Sequence, residues 1–76
     1  MRIGVLVLKV FKVYAGREKN AAMMQLYYIR AKSKGQAKEL FKSLHKGYIV
    51  FSIDECGIRE TSDIENRLIP ILGLAP

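Results

Sequence analysis

The segment from Ile3 to Tyr14 is the strongest constraint on how this chain can fold, because it is apolar on both faces of a strand. Its residues are dominated by Val, Leu, Ile and Phe, the β-branched and bulky types that fit a pleated surface. Two-residue alternation puts Val5, Val7, Phe11 and Val13 on one side and Leu6, Leu8 and Val10 on the other. A strand of this kind is predicted to lie centrally in its sheet, with cover on both sides.

The polar stretch Ala15 to Asn20 around Gly16 reads as a hairpin loop, after which a second strand is predicted over Ala22 to Lys32. Met23, Tyr27, Ile29 and Ala31 share its core face, while Met24, Leu26, Tyr28, Arg30 and Lys32 share the other. Ser33 followed by Gln36 has capping-box spacing, so a helix should begin there. Ala37, Leu40, Phe41 and Leu44 form one apolar stripe on it. Lys42, His45 and Lys46 suit its carbonyl end, and Gly47 can take the left-handed conformation that stops it near Lys46.

Tyr48 to Asp54 alternates again and reads as a third strand, with Ile49, Phe51 and Ile53 on the core face. A right-handed crossover makes it parallel to the second strand and places it beyond the first, in the order 2-1-3. Ser62 and Glu65 repeat the capping spacing and predict a short C-terminal helix that ends before Pro70. The expected architecture is a single α+β domain over residues 1–76, in the order β-β-α-β-α, with one amphipathic helix on one face of a three-stranded sheet. That helix covers only one face. The other requires the C-terminal segment or a second copy of the chain, and domains this small bury only about 60% of their unfolded surface.

Charge is unevenly distributed. Residues 1–50 carry eleven Lys or Arg against Glu18 and Glu39, while residues 51–76 carry Arg59 and Arg67 against five acids, giving +6 for the whole chain. Such a division suits an anionic partner or a head-to-tail contact between copies. Lys34, Lys38, Lys42 and Lys46 recur every four residues, a spacing that drifts only about 40° per step on a helix and makes one slanting stripe. With Arg30 and Lys32 nearby, the stripe reads as a phosphate-tracking surface for DNA or RNA, or else as a solvated face. Tyr28, Arg30 and Lys32 share a strand face that Tyr48 could join, an aromatic and basic mixture that suits single-stranded nucleic acid or self-association. Lys46-Gly47-Tyr48 opens like the RNP1 motif of RRM domains, but Val50 stands where a second stacking aromatic is needed, and no RRM follows.

Catalytic constellations are sparse. His45 and Cys56 are the only imidazole and thiol, and they flank the third strand, whose length of about 23 Å keeps them apart within one chain. The acids from Asp54 to Glu65 lack calcium-loop spacing, and no glycine-rich phosphate loop is present. One cysteine permits no internal disulfide, no apolar run reaches membrane-spanning length, and no signal-peptide pattern opens the chain, so a cytoplasmic protein is expected. The functional expectation is a small basic non-enzymatic module, without metal, cofactor or small-molecule substrate, that binds nucleic acid through the lysine stripe. The alternative is a homodimeric protein-interaction or inhibitor module anchored on Tyr28, Tyr48, Leu68, Ile71 and Leu72.

Overall fold

The structure, a computed structural model, describes residues 8–74, and the expected strand residues Ile3 to Val7 lie outside them. The element order is β1 (Lys9–Gly16), β2 (Gln25–Ala31), α1 (Lys34–Leu44), β3 (Ile49–Glu55), α2 (Ile58–Asn66) and β4 (Leu72–Gly73). The class is α+β, with a sheet of four strands rather than three, ordered β3-β1-β2-β4. β1 is central and antiparallel to both β2 and β3, while β4 pairs parallel with β2 through Ile29 and Arg30. A two-residue parallel strand leaves no alternation to read. It is held by Leu74 N–H donating to the Arg30 carbonyl at 2.9 Å and by Gly73 at φ +89°, where a Cβ would run into that same carbonyl.

Both faces of β1 are buried, as its composition demands. Phe11, Val13 and Ala15 pack with Ile29, Ala31, Ile53 and the α1 residues Ala37 and Phe41. On the opposite face Val10 packs with Cys56 and Ile64, flanked by Tyr28, Ile69 and Ile71. Over the described part of β1, the second cover is therefore α2 and the segment after it.

Ser33 caps α1 from an extended conformation and accepts from the Gln36 N–H at 3.2 Å. The Gln36 side chain reaches one residue further back than a capping box requires and accepts from the Lys32 N–H at 2.7 Å. The helix ends at Leu44, with Gly47 left-handed at φ +85°. Leu44, expected in the core, is 54% exposed, because rings of Tyr27, His45 and Tyr48 close around Phe41 at this end of the helix.

Three local features correct the expected boundaries. Asn20 accepts from the Ala22 N–H through its side chain and from the Met23 N–H through its carbonyl, forming a 3-10 turn over Ala21–Met23. β2 therefore starts at Gln25, and Met23 is exposed. In β3, Tyr14 pairs with Ser52 and Ala15 with Val50, so Phe51 is the extra residue of a bulge. The bulge reverses the alternation and brings Val50 and Tyr48 to the α1 side, where simple periodicity puts Ile49 and Phe51. Finally, α2 begins after Gly57, so Ser62 lies inside it and the Ser62–Glu65 spacing is not its start.

α2 ends without glycine. Leu68 N–H donates to the Glu65 carbonyl at 3.1 Å and Ile69 N–H to the Ile64 carbonyl at 3.2 Å, the two bonds of a Schellman motif. Leu68 sits at its left-handed position with φ 58° and is 87% exposed. A residue with a Cβ loses about 1–2 kcal/mol there. Leu68→Gly should therefore raise stability by about 0.5–1 kcal/mol after the entropic cost of glycine in the unfolded chain. A urea midpoint unchanged or lowered in this variant would contradict the strained cap.

Candidate functional site

The acidic and basic halves of the chain meet inside the fold. Glu60 of α2 receives Lys12 of β1 at 3.1 Å, and Glu65 receives Arg30 of β2 at 3.1 Å, so two ion pairs clamp α2 onto the sheet around Ile64. Glu55 receives Lys9 at 3.4 Å, and Asp63 of α2 receives Arg67, the residue just past its end. The hydrogen bond and then the charge of Glu60 hold the Lys12 ammonium above its ordinary range. Four of the five acids after residue 50 are thus engaged, three of them by cations of β1 and β2.

The α1 lysines are left over. Lys34, Lys38 and Lys42 project from the helix, Lys46 from the turn just beyond it, and all are exposed. Among the described residues none of the four joins an ion pair, and Glu39 is the sole acid on α1. Lys32, also exposed, immediately precedes the Ser33 cap. Arg30, predicted to belong with them, is only 13% exposed and points to Glu65 on the opposite side of the sheet.

Lys34 and Lys38 form one wall of a groove of about 310 Å³ against β3, whose residues Val50, Phe51, Ser52 and Ile53 form the other. β3 is an edge strand, and the bulge places the half-buried Phe51 in this groove instead of the core. Periodicity could not reveal Phe51 as a site residue, because only pairing with β1 determines where the extra residue falls.

At the carboxyl end of α1, Phe41 and His45 stack with centroids 4.7 Å apart and planes 9° apart. Tyr27 lies 4.9 Å from His45, and Tyr48 meets it edge-on at 5.1 Å. The Arg17 guanidinium lies over the Tyr48 ring, 5.6 Å from its centroid. Burial, followed by Tyr48, holds the Tyr27 phenol above its ordinary range, and its hydroxyl donates to Gln25 Oε1 at 2.9 Å.

The five residues proposed for protein contact do not converge. Tyr48 belongs to the α1 face, Tyr28 and Ile71 to the α2 face, Leu72 to β4 against the first core, and Leu68 to the exposed end of α2. Tyr28 and Tyr48 therefore cannot act from one face. His45 stacks on Phe41 of the α1-side core, while Cys56 belongs to the cluster on the α2 side. Cys56 donates its N–H to the Val10 carbonyl at 2.8 Å, and burial, then the Glu60 charge, pushes its thiol up to about 11. Little thiolate exists at pH 8, so Cys56 should react with a disulfide reagent at least about 100-fold more slowly than a free thiol. Rapid reaction in the absence of denaturant would contradict this packing.

Among the described residues no group of three or more His, Cys, Asp or Glu side chains could hold a metal ion, and no helix is long and apolar enough to cross a membrane. No family model, curated protein or solved structure matches this chain.

Proposed function

We propose that this chain is a non-enzymatic nucleic-acid-binding module whose contact surface is the lysine face of α1 and the groove beside it. Lys34, Lys38, Lys42 and Lys46 supply phosphate contacts, with Lys32 at the head of the helix, while Arg30 serves to hold α2. The observation that carries this reading is the division of charge. Four of the five acids after residue 50 are engaged within the fold, and five of the eight cations left unpaired among the described residues, Lys32, Lys34, Lys38, Lys42 and Lys46, lie on or beside one helix next to an aromatic ring in an open groove. Interleaved basic and aromatic groups bind single strands by phosphate contact and base stacking.

The same geometry weighs against pairing of two copies through their open β3 edges. Antiparallel pairing would bring both α1 helices to one side of the joined sheet, lysine face toward lysine face, and lysines beside an edge strand oppose such pairing. A gel-shift assay with DNA and RNA should give a complex at low salt that weakens at moderate salt. Absence of any complex at low salt would contradict the proposal.

A further inference from the structure

We infer that the cavity beside Arg17 and Tyr48 is a pocket for one unpaired nucleobase, which makes single-stranded nucleic acid the ligand of the α1 face; this rests on the nucleic-acid reading above. The cavity measures about 210 Å³ and is lined by Ala15, Gly16, Arg17, Gln25, Tyr27 and Tyr48, with Glu18 and Met23 completing the wall. That is below the range of about 300–1,000 Å³ typical of drug-sized ligands and suits one flat ring system. Of its lining residues, Ala15 is buried and Gly16 carries no side chain. A Cβ on Gly16 would press on the Met23 carbonyl oxygen at 3.2 Å.

The chemistry fits a base better than a phosphate. Arg17 presents a planar guanidinium backed by the Tyr48 ring, a platform on which a base can stack. Among the described residues no carboxylate pairs with Arg17. Gln25 accepts the Tyr27 hydroxyl through Oε1, which leaves its two amide N–H groups to donate to a base carbonyl. Glu18 in the wall repels a phosphate but not a neutral base.

Position links the pocket to the lysine face. Tyr48 lies two residues after Lys46 and three before Phe51, about 10 Å along an extended chain from the ring in the lysine groove. A strand with its phosphates along α1 can thus place one base near Phe51 and another on Arg17. A duplex, whose bases are stacked inside, cannot.

The test compares a fluorescent oligothymidylate, whose bases carry carbonyls, with the same strand annealed to its complement, by anisotropy at low salt. The single strand should bind about tenfold more tightly than the duplex. Arg17→Lys keeps the charge and removes the plane at an exposed loop position. It should lose about five- to tenfold on the single strand, with duplex binding and the salt slope unchanged. Equal affinity for the two forms, or an Arg17→Lys variant that binds the single strand like the parent, overturns the pocket while leaving the lysine face standing. Binding of neither form overturns the lysine face and the pocket with it.

Discussion

Changing Lys34, Lys38 and Lys42 together to Glu should weaken binding of a single-stranded oligonucleotide by more than about 100-fold at low salt, because three phosphate contacts become three repulsions. The fold should tolerate the change. The three side chains are exposed and unpaired, Glu is a good helix former, and substitutions at such sites usually move stability by no more than about 0.5 kcal/mol each. Far-ultraviolet circular dichroism and a urea titration check that condition, and an anisotropy titration reads the binding. If the module captures a protein instead, the variant retains its partner, so the same protein separates the two classes of function. Undiminished binding to nucleic acid would place the contact surface somewhere other than α1.

Phe41→Ala should remove about 3–5 kcal/mol of stability, a large part of the roughly 4–11 kcal/mol available to a chain this long. Phe41 is fully buried and is the larger of the two α1 side chains buried against the sheet, stacked on His45 and packed against Tyr27 and Tyr48. Removing the ring leaves a cavity that neighbouring aromatic groups can only partly fill. Leu44, one turn further on the same predicted stripe but half exposed, is the matched control, and Leu44→Ala should cost no more than about 1 kcal/mol. Equal losses in urea titrations of the two variants would contradict the packing described for this end of the helix.

The parts of the fold that were legible in the sequence are those with a local physical cause. β1 carries apolar residues on both sides, and Val10 and Val13 are indeed buried on opposite faces. Ser33 caps α1 because its hydroxyl is within reach of the Gln36 N–H, a relation contained in four consecutive residues. The lysine spacing is likewise local, and three of the four lysines lie on the helix where it predicts them.

What escaped the sequence depends on pairing between distant segments. The alternation of Ile49, Phe51 and Ile53 is regular, yet β3 accommodates the end of β1 by skipping Phe51, so one residue of register transfers Val50 and Tyr48 to the core. Arg30 reads as a free cation until α2 delivers Glu65 from 35 residues away. α2 itself begins at a cap without a side chain and ends on a left-handed Leu68, which its local residues do not signal. The Arg17–Tyr48 cavity draws on the end of β1, the hairpin loop, β2 and the turn after α1, so no single stretch of sequence contains it.

The most direct test of the proposed surface is the salt dependence of affinity for a single-stranded oligothymidylate. Five unpaired lysines along and beside α1 predict that log K falls against log salt concentration with a slope of about −3 to −4, by the single-strand relation of roughly −0.7 per phosphate neutralised. A slope near zero, or no measurable binding at low salt, would contradict the assignment of the α1 face to phosphate recognition.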